Sequence, residues 1–144
     1  MNTPPTNTWH AGSLRYVVPL GRALFAAIFI TAFPGHLSQA YVDYAVQQGV
    51  PLASLAVPAA GVLALAGGLS VLLGYRTRIG VWLLVLFLVG VTPMMHNFWA
   101  VKDPMMAQLQ LAMFMKNLAM LGGALLIAYF GAGPLSLDAR RNRS

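Results

Sequence analysis

PLASLAVPAAGVLALAGGLSVLLG, residues 51–74, followed by YRTR, residues 75–78, and IGVWLLVLFLVGVTPMM, residues 79–95, is the stretch that decides the architecture. Each apolar run is close to the ~20 residues that an α-helix needs to cross a hydrocarbon core. The link between them is too short for anything but a tight turn, so the two helices must be antiparallel neighbours. Its two arginines place that turn at a membrane face.

Two further runs flank this hairpin, from about Tyr16 to Phe33 and from about Met105 to Phe130. The first ends at Pro34-Gly35, which cannot continue a regular helix without a break. Arg22 interrupts it and no small-x-small cleavage site follows, which argues against a removed signal segment. Residues 37–50, LSQAYVDYAVQQGV, are mixed in polarity and read as a short amphipathic helix at the interface, with tyrosines suited to the headgroup zone. The expectation is an all-α integral membrane four-helix bundle with spans at about 16–33, 51–74, 79–95 and 105–130, and a short interfacial helix after the first. Residues 1–15, including Pro4, Pro5 and Thr6, lack periodicity and read as a disordered cytoplasmic tail, and 131–144 as a basic cytoplasmic tail.

Composition points the same way. Of the 144 residues 58% are apolar and 8% charged, and the mean hydropathy is +0.69, far above that of ordinary soluble domains. Glutamate is absent and the acids are Asp43, Asp103 and Asp138, against nine Lys and Arg. With no cysteine, thiolate nucleophiles, disulfide relays and Cys-ligated zinc or iron–sulfur clusters are excluded within this chain. Any redox chemistry therefore borrows a cofactor. The net charge of +6 sits mostly at segment ends, which suits orientation by anionic lipid and not nucleic-acid binding. Arg15, Arg76, Arg78, Arg140, Arg141 and Arg143 fall on one face and only Lys102 on the other. The positive-inside rule then makes both termini cytoplasmic and puts His36 and the 96–103 loop on the outer face of the membrane.

Two cations lie inside the runs with no acid beside them. Arg22 is only ~9 Å up its helix and can snorkel to the cytoplasmic headgroups. Lys116 is ~16 Å into the fourth helix, near the membrane middle, where an unpaired charge costs on the order of 3 kcal/mol. It shares a helical direction with Ala112 and Gly123, so it is expected to face the bundle. In lipid, helices associate by close approach of small residues, which here are Gly61, Ala64, Gly67 and Gly68 in the second run and Ala112, Ala119, Gly122 and Gly123 in the fourth. His36 and His96 lie at one membrane face, where two imidazoles can ligate haem or a metal or relay protons to a quinone. With no third ligand of fixed spacing, no metal site is assigned and haem is disfavoured. Trp99 reads first as an interfacial anchor.

Gly21-Arg22, QGVP at 48–51, AGGLSVLLGYRTR at 66–78, HNFW at 96–99, MKNLAMLGG at 115–123 and GAGPLSLD at 131–138, in that order, resemble the DoxX family over nearly all of residues 14–138. The resemblance implies a four-helix bacterial inner-membrane protein. Relatives are associated with thiosulfate:quinone oxidoreduction, with membrane redox complexes and, in distant eukaryotic branches, with chaperone or cargo-receptor roles. It implies as site residues Arg22, Lys116, Asn117, His96 and Trp99, to which His36 and Asn97 are added from the polar outer face. Where the family pattern has a glutamate three residues before the Gly-Gly pair, this chain has Ala64. The leading expectation is a small subunit of a quinone-linked redox complex, in which Lys116 and Asn117 stabilise a quinone oxygen or sulfur oxyanion and His96 donates a proton. Its partners would be the bilayer and a redox partner or a second copy. The alternatives are a non-catalytic scaffold, assembly factor or chaperone, and a small solute or anion transporter.

Overall fold

A computed structural model describes residues 15–141. Among them, four helices are long and apolar enough to cross a membrane, and the expected all-α membrane bundle is what the chain forms. The first span is α1 (Val17–Thr31), continued after a one-residue interruption by α2 (Phe33–His36). The break expected at Pro34-Gly35 falls at Ala32, and the span runs on to His36 because Pro34 occupies the first turn of α2, where its missing N–H has no intrahelical partner to lose. The interfacial helix is α3 (Gln39–Gln47), started by Ser38, whose hydroxyl accepts the Tyr41 N–H. The other spans are α4 (Ala53–Leu73), α5 (Thr77–Met95) and α6 (Pro104–Phe130), and a short α7 (Leu137–Arg141) follows.

Element ends obey local chemistry. Asp103 caps α6 by accepting the Met106 N–H at 2.8 Å, with Pro104 at the first helical position. Gly74 ends α4 in the left-handed conformation at φ +63°. Pro58 and Pro93 lie within α4 and α5, where each takes one N–H out of the helical ladder, and beside Pro93 the Thr92 hydroxyl donates to the Leu88 carbonyl one turn back.

Packing runs chiefly through α4 with α5, α5 with α6 and α1 with α4. Small residues set the distances, as expected for helices in lipid. Gly67 faces the Gly80 carbonyl and Leu84 of α5, Gly80 faces Ser70 of α4, and Gly68 faces Phe29 and Ile30 of α1. Gly61, Ala64, Gly67 and Gly68 are all buried, as anticipated. On α6 the anticipated stripe is displaced: Ala112, Ala119 and Gly122 are exposed, and the inward line is Gln110, Asn117 and Ala124, at seven-residue spacing. The core joins Ala26 and Phe29 to Ala64, Val71, Val81, Leu84, Leu88 and Ala124. A smaller cluster of Ala45, Ala53 and Val57 seats α3 on α4. Helices α1 and α6 meet where Gly123 receives the Phe25 ring.

Candidate functional site

The bundle carries polar chemistry at both ends. At the arginine end, Arg22 is 5% exposed and donates to the carbonyls of Ala132 at 2.6 Å and Leu135 at 2.9 Å, while its Nε has no partner. The expected snorkelling thus ends not in water but in carbonyls of the segment after α6. A buried guanidinium keeps its charge only where acceptors replace water, and two main-chain oxygens do so here. The same segment folds back further. Asp138 accepts the N–H groups of Arg76 at 2.8 Å and Thr77 at 2.9 Å, capping α5 from a distant point in sequence, while its own N–H donates to Gly74 O at 2.8 Å. Burial would push the Asp138 carboxyl up, but the Thr77 and Arg76 donors and the charge of Arg141 hold it below its ordinary value. This cluster is a structural clasp between α1, the α4–α5 turn and the chain beyond α6.

At the opposite end a cavity of about 840 Å³ opens among α1, α2, α3, α4, α5 and α6. Its wall is mostly apolar, including Ile28, Phe29, Leu63, Phe87 and Met120, and its polar members are His36, Tyr41, Tyr44, His96, Lys116 and Asn117. Gly61 permits the seat of His36, because a Cβ there would overlap the imidazole. The His36 Nδ1 lies 3.0 Å from Ala32 O, which can only accept, so Nδ1 carries the proton and Nε2 is left for another partner. His96 Nδ1 lies 2.8 Å from Gln110 Oε1; the Gln110 amide donates to Tyr44 OH at 2.9 Å, and Tyr44 OH donates to Met95 O at 3.3 Å. This chain ties α5, α6 and α3 together and fixes the same tautomer on His96.

Of the residues expected to form the site, His36, His96, Lys116 and Asn117 come together on this cavity. Three do not. Arg22 is at the other end of the bundle, Trp99 is exposed and stacks edge-on against Phe98 and Phe114, and Asn97 precedes the 3-10 turn Phe98–Ala100 outside the cavity wall. Lys116 departs from expectation in another way. It is exposed at the rim, with Met113 Sδ at 3.5 Å as its hydrogen-bond partner, while Asn117 is the buried member of the pair at 5% exposure. A helix turns ~100° per residue, and once the Gln110–Asn117–Ala124 line faces inward, position 116 must lie at the side. Among the described residues the Asn117 amide takes no hydrogen-bond partner. Ala64, where the family pattern has an acid, also lines the cavity, so this wall holds no carboxylate against Lys116. Tyr44, read from the sequence only as suited to the headgroup zone, and Gln110 carry the contacts that seat His96. The seven-residue spacing of Gln110 and Asn117 was the available signal that they share a face. No group of three or more His, Asp or Glu able to hold a metal ion occurs among the described residues.

Comparison with known proteins matches the SURF4 family to residues 56–143, from within α4 through the clasp segment. The chain belongs to the SURF4 family. The motifs point to the DoxX family; the comparison names SURF4 and supports a membrane family. This SURF4-family chain is 31% identical over 131 residues to the Escherichia coli inner membrane protein YqjF, covering 88% of this chain and 92% of the relative. It is 30% identical over 99 residues to the E. coli inner membrane protein YphA, covering 69% of this chain and 70% of the relative. No solved structure matches it. With four spans and these relatives, it is a multi-pass inner-membrane protein.

Proposed function

We propose that the cavity binds a lipid-soluble quinone and that the chain is a small membrane subunit of a redox complex. The observation that carries this reading is Asn117, a buried amide without a protein partner, set beside Lys116 on a mostly apolar cavity. An amide that meets an apolar cavity with no protein partner is placed to be completed by a polar group of a ligand there. Asn117 and Lys116 both offer N–H donors, so the fitting ligand carries acceptor oxygens on an apolar body. A quinone has that form, and the DoxX-like order of motifs supports the same class. The bound quinone would supply two-electron chemistry. The chain's own part is orientation by Asn117 and Lys116, while the Gln110–Tyr44 chain holds the His96 ring on the cavity wall, where the imidazole itself exchanges a proton with the quinone. Electrons come from a partner, since this chain has no cysteine for a thiol or iron–sulfur relay. The arginine end faces the cytoplasm by the charge rule, which puts His36 and His96 toward the outer face.

The test is native mass spectrometry of the full chain extracted gently from its own membranes. The expected result is a quinone mass whose retention falls roughly 10- to 100-fold in Lys116→Met and Asn117→Leu, the loss of one charge-assisted or buried hydrogen bond. Undiminished quinone in both variants overturns the assignment. One observation favours a second reading, a scaffold for a partner membrane protein: the exposed Lys116 lies on an α6 surface rich in exposed Leu, Met and Ala, where a partner's carboxylate would pair with it. Photocrosslinking from position 116 distinguishes the two. A polypeptide adduct with no quinone supports the scaffold, and an adduct with lipid alone counts against it.

A further inference from the structure

The arginine end holds a second cavity, unlike the first. It measures about 600 Å³ and lies between the start of α5 and the stretch after α6, walled by Arg76, Arg78, Arg141, Phe130 and the backbone of Gly131 and Gly133. Asp138 also lines it, but its two oxygens accept the Arg76 and Thr77 N–H groups, so its lone pairs are directed at the helix cap. Asp138 keeps its negative charge, but three arginines against one carboxylate leave the wall net positive. Depth is set by the helices: α5 begins at Thr77 and α6 ends at Phe130, so the cavity sits where two spans leave the hydrocarbon. Tyr129 and Phe130, 79% and 75% exposed, mark the same level as an aromatic belt.

A guanidinium fork matches two phosphate oxygens, and a basic recess between helix ends at headgroup depth is the setting in which anionic lipid is held. We propose that this cavity binds the phosphodiester headgroup of an anionic phospholipid, with Arg76 and Arg78 as the phosphate ligands and the acyl chains leaving past Ile79 and Phe130. The site is independent of the quinone reading, being at the other end of the bundle. The charge rule alone accounts for arginines on this face, but it depends on their number and not their position. Arg15 and Arg140 satisfy it equally well without lining the cavity.

The full chain is purified in detergent, stripped of lipid, and titrated with mixed micelles of phosphatidylglycerol or phosphatidylcholine, and retained lipid is counted by native mass spectrometry. The expected result is one retained phosphatidylglycerol in preference to phosphatidylcholine, weakened roughly fivefold by Arg76→Gln or Arg78→Gln and multiplicatively by both. Arg15→Gln leaves it unchanged. Equal weakening by Arg15→Gln, or no weakening by either cavity variant, overturns the proposal. Displacement of the lipid by equimolar inorganic phosphate also overturns it, in favour of a free-phosphate site. Helix content and melting in phosphatidylcholine micelles are read beside each variant. Arg78→Lys, which keeps the charge without the fork, is expected to retain part of the preference and serves where the glutamine variant is poorly folded.

Discussion

Gly74 stands where three chemical requirements meet. Its φ of +63° is in the left-handed region, its carbonyl accepts the Asp138 N–H at 2.8 Å, and a Cβ there would strike Ser136 and lie 2.6 Å from an Arg22 nitrogen. Gly74→Ala is expected to destabilise the protein by about 1–3 kcal/mol, from left-handed strain and overpacking together, read as a lower melting temperature in detergent. Asp138 makes a second prediction. Because its folded carboxyl titrates below the ordinary aspartate value, the clasp contributes stability above that value and loses it as pH falls through the depressed one. Melting temperature should therefore decline on acidification below the ordinary carboxylate range, and Asp138→Asn should flatten that decline. Asp138→Ala, which removes the α5 cap, should cost about 1 kcal/mol at neutral pH. An unchanged melting temperature in Asp138→Ala would mean that the clasp contributes nothing to stability.

At the scale of elements, α4 is the hub, presenting glycines to both α1 and α5. Gly67 has the Gly80 carbonyl and the Leu84 side chain 2.7 Å from a built Cβ, which backbone cannot yield cheaply. Gly67→Val is expected to part α4 from α5 at a cost of about 1–3 kcal/mol, whereas Gly90→Ala, in open space on α5, should be close to neutral. Comparing the two melts separates a packing effect from a general glycine effect. The link from α6 to α3 is polar instead. Gln110→Leu removes the bridge between His96 and Tyr44 and should free the His96 ring without emptying the proposed quinone site. If the cavity holds quinone as proposed, the expected signature is an unchanged amount of retained quinone with a lower melting temperature in detergent.

For the whole molecule, the charge rule predicts that the arginine end is cytoplasmic. The absence of cysteine makes this directly measurable, since a single introduced thiol is the only one present. Lys102→Cys should react with a membrane-impermeant maleimide on intact spheroplasts, and Arg140→Cys only after permeabilisation. The reverse pattern would invert the bundle and move both cavities to opposite compartments. With α1 and α6 joined mainly through Phe25 and Gly123, the molecule is a bundle with a loosely closed seam, and Lys116 stands on its α6 side.

Hydropathy and run length were sufficient to read four spans, the α4–α5 hairpin, the interfacial helix and the membrane setting, because lipid demands ~20 apolar residues per crossing whatever the neighbours are. The small residues of α4 were legible for the same reason, since close approach in lipid leaves few alternatives. Rotation of α6 was not. Lys116, Ala112 and Gly123 form as consistent a face as Gln110, Asn117 and Ala124, and only the contacts with α5 and α3 choose the second. Nor could the sequence pair Arg22 with carbonyls 110 and 113 residues away, because main-chain acceptors carry no residue identity. It was the fold that moved Arg22 out of the expected site into a clasp, brought His36 and His96 to one cavity, and left Asn117 inside without a partner.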